Sequence, residues 1–146
     1  MPDGEPIVFV VDDDSLVRAS LKRLIQLAGL RVETFSSARE FLQGAQLNEP
    51  ACLVLDVRLP DLNGLDFQGE LAKAGIHIPI IFITGHGDIP MSVRAMKAGA
   101  IGFLTKPFSE HDLLNSIQEA IERDRVARLV RAYIAVLNGR YELLTP

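Results

Sequence analysis

Five short apolar runs, each followed by a stretch with helical spacing, constrain what this chain can fold into more than any other feature of its sequence. The first run is Ile7-Val8-Phe9-Val10-Val11, and Leu16, Val17, Leu21, Leu24, Ile25 and Ala28 follow at helical spacing up to a stop at Gly29. Leu30 to Phe35 alternates, with Arg31 and Glu33 on one face, as an edge strand does. Ser37 and Glu40 form a capping-box pattern that opens a short second helix holding Phe41 and Leu42. Cys52 to Leu55 is a buried strand ending in Asp56, and Asn63-Gly64 marks a turn before the helix of Leu65 and Leu71. Ile78 to Ile83 is a fourth strand, with Pro79 near its beginning where the missing N–H does least harm. A helix from about Met91 to Ala98, closed by Gly99, leads to a fifth strand from Ala100 to Thr105. Strands apolar on both faces and separated by helices belong to a parallel sheet covered on both sides. Right-handed crossovers make that sheet a doubly wound α/β sandwich.

Composition supports this reading and excludes others. A length of 146 residues, 48% of them hydrophobic, suffices for one domain with its own core. The lone cysteine, Cys52, excludes an internal disulfide, suits a reducing compartment and reads as a small core residue. The acidic start Met1-Pro2-Asp3-Gly4-Glu5 lacks the marks of a signal peptide, and no segment approaches the ~20 apolar residues of a membrane helix. A net charge of −4 argues against binding of DNA or anionic lipid by this piece itself. The expectation is a cytoplasmic protein that makes no membrane contact.

The last helix is unusual. Ser109 is its candidate N-cap, with Asp112 three residues on, and no Gly or Pro interrupts it before Gly139. That permits nearly thirty helical residues. Leu113, Ile117, Ala120 and Ile121 form one apolar stripe suited to the sheet. Val126, Leu129, Val130, Tyr133, Val136 and Leu137 form a second, roughly half a turn away around the axis. A stripe facing away from its own domain calls for cover, and contact with a second subunit or domain is favoured over a hairpin or frayed tail.

The chemistry gathers at strand ends. Asp12, Asp13 and Asp14 follow the first strand, Asp56 ends the third, Thr84 the fourth, and Lys106 the fifth. In a parallel sheet these ends share one edge, the edge at which open α/β sheets bind ligands. Carboxylates brought within a few ångströms repel by up to ~4 kcal/mol per pair, so a cation among them is expected. Oxygen ligands without nearby His or Cys suit Mg²⁺ or Mn²⁺ rather than zinc. Thr offers a hydroxyl and Lys a positive charge, both suited to a phosphoryl group, and a carboxylate can attack phosphorus to give an acyl phosphate. Alone, each residue has an ordinary reading, as a surface acid, a solvated Lys or a helix-capping Thr. Together, at four strand ends, they do not. The residues leave open which Asp is the nucleophile.

Four segments resemble the response-regulator receiver family. They are Val11-Asp12-Asp13-Asp14, Leu55-Asp56-Val57-Arg58-Leu59-Pro60-Asp61-Leu62-Asn63-Gly64, Ile83-Thr84-Gly85-His86-Gly87-Asp88 and Phe103-Leu104-Thr105-Lys106-Pro107-Phe108. The likeness runs from about residue 6 to 124, and the chain looks like the FixJ-type branch, which joins a receiver to a LuxR-type helix-turn-helix. It implies a flavodoxin-like (CheY-like) five-stranded parallel sheet in the order 2-1-3-4-5, extended by a C-terminal helix. It implies Asp56 as phosphoacceptor from a sensor histidine kinase, and Mg²⁺ held by Asp12, Asp13, Asp56 and the backbone carbonyl of Arg58. Asp14 would be an extra acid near the site. Lys106 would pair with phosphoryl oxygens, and Lys106-Pro107 would be cis. Thr84 and Phe103 would form the switch, and the fourth helix, fifth strand and fifth helix the dimerising surface, with the linker helix a further candidate. The domain division implied is a receiver at 1–124 and a helical linker at 125–146.

The closing Thr145-Pro146 reads as a helix start and resembles the opening of a LuxR-type domain. DNA would then be met only through a C-terminal domain beyond this sequence. The leading expectation is a switch that catalyses only its own phosphorylation and dephosphorylation and is otherwise no enzyme. One rival, a metal-dependent phosphotransferase or hydrolase, would need a general acid, for which only His77, His86 and His111 stand. Another, a stand-alone receiver acting by protein contact, has no use for the second stripe.

Overall fold

A computed structural model describes residues 5–59, 61–85 and 89–144, with side chains described up to Asn138. The elements alternate: β1 (Ile7–Val11), α1 (Ser15–Leu27), β2 (Arg31–Phe35), α2 (Ala38–Gly44), β3 (Ala51–Asp56), α3 (Gly64–Lys73), β4 (Ile80–Thr84), α4 (Ile89–Lys97), β5 (Gly102–Thr105) and α5 (Glu110–Leu144). The strands form one parallel sheet in the order β2-β1-β3-β4-β5. This is the flavodoxin-like fold expected, with β2 at an edge where Arg31 and Glu33 stay exposed. Both β4 and β5 begin two residues later than their apolar runs, because Ile78-Pro79 and Ala100-Ile101 lie in the approach to each strand.

Period-two alternation of the strands divides the core in two. Phe9, Leu53, Leu55 and Phe82 face α2, α3 and α4, where Phe41 packs edge-on against Phe9 at 5.3 Å and against Phe67 at 5.9 Å. Val8, Val10, Cys52, Val54, Ile81 and Ile83 face α1 and α5, meeting Leu21, Ile25, Leu113 and Ile117. Full burial of each such side chain is worth about 1.5–3 kcal/mol. Burial also pushes the Cys52 thiol up, which keeps it unreactive, as a core residue should be.

Caps fix the helix starts. Asp14 accepts from the N–H groups of Leu16 (2.9 Å) and Val17 (3.4 Å), so the extra acid of the Asp12–Asp14 run is the N-cap of α1. Ser37 caps α2 through the Glu40 N–H at 3.1 Å, while Glu40 reaches Ser36 rather than Ser37, so the capping box is shifted by one residue. Ser109 accepts from the Asp112 N–H at 3.0 Å. From there α5 runs 35 residues, about 52 Å, passing through Gly139 rather than ending before it. The call on Thr145-Pro146 lies outside the described residues.

Candidate phosphoryl-acceptor site at the sheet edge

Backbone ladders carry the site residues past the ends of their strands and into line. Asp12 N–H donates to Phe35 O at 3.1 Å, Val57 N–H to Ile83 O at 3.1 Å, and Lys106 N–H to Thr84 O at 2.8 Å. Asp12, Asp56, Thr84 and Lys106 therefore stand side by side at the C-terminal edge of the sheet. Asp12, Asp56 and Thr84 are buried, Lys106 is half-buried, and Asp13 is exposed at the rim. Below them Gly64 opens α3, and a Cβ there would come within 2.9 Å of Asp56 O and Val57 Cα. The Asn63-Gly64 pair is thus more than a turn signal: Asn63 caps α3 through the Leu65 N–H at 2.7 Å, and Gly64 permits close approach beneath the acidic cluster.

The electrostatics are unbalanced. Oxygens of Asp12, Asp13 and Asp56 lie within 4.8 Å of one another. Among the described residues one cation faces them: Lys106 Nζ lies 3.5 Å from Asp12 Oδ2 and 4.0 Å from Asp56 Oδ2. Asp12 Oδ1 accepts from the Asp14 N–H at 2.9 Å, but buried Oδ2 makes no hydrogen bond among the described residues. Burial pushes the Asp56 carboxyl up to about 6, helped by the neighbouring Asp12 charge. The Arg58 N–H, 2.9 Å from Asp56 Oδ1, and the Lys106 charge oppose that rise. A hard divalent cation would satisfy the orphaned oxygen and offset the repulsion, and an all-oxygen donor set fits Mg²⁺ or Mn²⁺.

The remaining sequence candidates lie as follows. Phe103 is half-buried against Phe82, their rings 6.2 Å apart. The Lys106–Pro107 bond is cis. His77 is exposed at the opposite edge of the sheet, before β4, and His111 bonds Asn115 on α5 at 3.0 Å. His86 lies outside the described residues. Sequence reasoning missed Asp61, whose carboxylate accepts from the Ala38 (3.3 Å) and Arg39 (3.0 Å) N–H groups and ties the β3–α3 loop to α2.

It also missed Asp124 on α5. Its Oδ2 accepts from the Ala51 N–H at the start of β3 and from Arg128 Nε, both at 2.8 Å, while Arg128 Nη2 reaches Leu47 O at 3.1 Å. Helical spacing aligns Asp124 with the Leu113–Ile121 stripe, but an acid amid Glu122, Arg123 and Arg125 reads as solvated.

A five-stranded 2-1-3-4-5 sheet whose C-terminal edge gathers three aspartates and a lysine defines a class, and comparison with known proteins agrees. The family model described as response regulator receiver domain matches residues 8–118, and the chain belongs to that family. It is 56% identical over 140 residues to nodulation protein W of Bradyrhizobium diazoefficiens, covering 96% of this chain and 62% of that protein. It is 42% identical over 123 residues to the transcriptional regulatory protein FixJ of Azorhizobium caulinodans, covering 84% of this chain and 58% of that one. Among solved structures, the response regulator StyR superposes with a TM-score of 0.91 at 46% identity, over 97% of this chain and 72% of that one. The chain thus spans about three fifths of the length of these curated relatives. Among the described residues no helix is long and apolar enough to cross a membrane.

Proposed function

We propose that this receiver takes a phosphoryl group on Asp56 from a sensor histidine kinase and passes the signal to a LuxR-type DNA-binding domain. The observation that carries the reading is the buried, incompletely satisfied acidic cluster facing Lys106. The family resemblance names Asp56 as the acceptor; it ends β3, beside the β4 strand of Thr84, its Oδ1 is held by the Arg58 N–H, and its Oδ2 lies 4.0 Å from Lys106 Nζ. An Asp56 oxygen attacks phosphorus as the bond to the donor breaks, and the leaving group departs with the bonding pair. Lys106 moves from sharing two carboxylates to neutralising phosphoryl oxygens, and Thr84 supplies a hydroxyl donor from the adjoining strand. Asp12, Asp13, Asp56 and the Arg58 carbonyl would hold Mg²⁺, which supplies countercharge for the transferring group. The same residues hydrolyse the acyl phosphate slowly, and the protein turns over no other substrate.

Phosphorylation adds about −1.5 to −2 charges and strong acceptors at this edge. Thr84 then moves toward the phosphoryl group and Phe103 turns further inward beside Phe82. The altered face of α4, β5 and α5 then pairs one receiver with another and so controls DNA binding. A groove beside the site, lined by Leu16, Val17, Leu24, Pro107 and Phe108, suits a kinase helix, and Leu16 is 77% exposed there. A pathway of this kind would run in the cytoplasm.

Intact mass after incubation with acetyl phosphate and Mg²⁺ tests the reading. The wild type should gain one phosphoryl group and Asp56→Asn none. Equal gain by both would assign the chemistry to another residue, and no gain by either, even with a phosphorylated kinase, would end the proposal.

A further inference from the structure

The two apolar stripes of α5 meet different fates. At roughly 100° per residue, Leu113, Ile117, Ala120, Ile121 and Asp124 share one side of the helix, and all are buried against the domain. Val126, Val130, Tyr133 and Leu137 lie on the opposite side, flanked by Leu129 and Val136, and these six are between 42% and 66% exposed. The rotation of the helix is fixed by the Asp124 bond to Ala51 and the Arg128 bond to Leu47. The receiver therefore cannot cover the second stripe itself.

We propose that this stretch of α5 pairs in parallel with the same stretch of a second copy of the chain, whether or not Asp56 is phosphorylated. Val126, Val130, Tyr133 and Leu137 are spaced four, three and four apart, the alternation that keeps a seam facing a like helix. The positions bordering the seam, Ala127, Leu129, Ile134 and Val136, carry no charge, and Arg125 and Arg128 lie on other sides of the helix, paired with Glu122 at 2.9 Å and Asp124 at 2.8 Å. They neither repel a second copy nor call for an acidic partner.

Size agrees as well. Six large, half-exposed side chains on one face approach the ~600 Å² upper range for the largest patch of a monomer. Doubled across a twofold axis, that reaches the ~1,200 Å² lower bound for a specific interface. An isolated helix of this length is marginal in water, so the projecting turns gain most from a partner. N-terminal to Val126 the same side carries Glu119, Glu122 and Arg123, with Glu119 and Arg123 paired at 2.9 Å. An antiparallel partner would lay its last turns on that charged surface, whereas a parallel one matches apolar with apolar at each level. The seam starts near Ala51, at the opposite end of β3 from Asp56, which is why pairing needs no phosphoryl group.

Single cysteines placed at Val126→Cys, Leu137→Cys and Ala135→Cys test this in the full chain, with the buried native Cys52 left in place. Ala135 is exposed but lies on the side opposite the seam. Under mild oxidation without a phosphodonor, both seam variants should form disulfide-linked dimers at least tenfold faster than Ala135→Cys. They should do so equally when Asp56→Asn is added, so a failure of phosphoryl uptake would not mimic a failure of pairing. Equal rates at all three positions, or dimers that form only after acetyl phosphate, would overturn the proposal. So would cross-linking by Tyr133→Cys with none at Val126→Cys and Leu137→Cys, the pattern of an antiparallel crossing.

Discussion

Two aspartates are buried near opposite edges of the same sheet, and the chain treats them in opposite ways. Asp124, 2% exposed, is completed from within: a backbone N–H and a guanidinium reach it at 2.8 Å each, and Arg131 stands 4.0 Å off. Asp12, fully buried, has one oxygen without a hydrogen bond and two further carboxylates beside it. A buried charge is tolerable only when paired and hydrogen-bonded. The acid that holds the fold together is therefore satisfied by its own chain. The acid at the site is left for something that arrives from outside.

That contrast is sharpest in stability. Asp124→Ala should cost about 3 kcal/mol in urea unfolding, because it orphans the Ala51 N–H and leaves the partly buried Arg128 without its carboxylate. A loss below about 1 kcal/mol would mean that Asp124 is a bystander. Removing charge at the other end should act with the opposite sign. Asp56→Asn should stabilise the protein by about 2 kcal/mol in EDTA at pH 7, since burial beside Asp12 opposes ionisation of this carboxyl. The sign follows from the raised value of about 6 against an ordinary 3.8. Between these values the native state holds a proton that the unfolded chain has released, so wild-type stability falls as pH rises through the window. The gap between Asp56→Asn and wild type should open from pH 4 to 6 and stay constant above it, read from melting temperatures. A gap independent of pH would assign the gain to packing. Mg²⁺ should raise wild-type stability by about 1.4 kcal/mol at ten times its Kd. It should leave Asp12→Asn nearly unmoved, and an equal rise in both would place the ion elsewhere.

The same contrast governs what the sequence discloses. Asp12, Asp56, Thr84 and Lys106 are legible because each sits at the end of an apolar run, and a parallel sheet brings such ends to one edge. The second stripe of α5 is legible because helical period alone sets its direction. Asp124 is not, since its partner Ala51 lies 73 residues away and its neighbours in sequence are those of a solvated helix face. Asp61 is hidden for the same reason: its bonds to Ala38 and Arg39 cross from one loop to another helix. Gly64 is half-legible, as a turn residue whose stricter constraint, contact with the Asp56 backbone, appears only in three dimensions. Local pattern fixes which face a residue takes, and long-range hydrogen bonds decide which acids are buried.

Arg128 gives the finest test of the comparison, with the smallest effect. Its guanidinium is partly exposed, so Arg128→Met returns little buried charge to consider, and the methionine can keep the aliphatic packing of the stem. Asp124 would retain its bond to the Ala51 N–H and gain attraction from Arg131, while Leu47 O could turn to water. The expected cost is about 1 kcal/mol, a third of that of Asp124→Ala. If instead the two substitutions cost the same, Asp124 is tolerated in the interior only because Arg128 neutralises it. A double substitution decides between these cases. With both residues replaced, a total close to that of Asp124→Ala alone means that Arg128 acts only through Asp124. A larger sum means that its bond to Leu47 holds α5 to the domain independently, and so sets the direction in which the exposed stripe points.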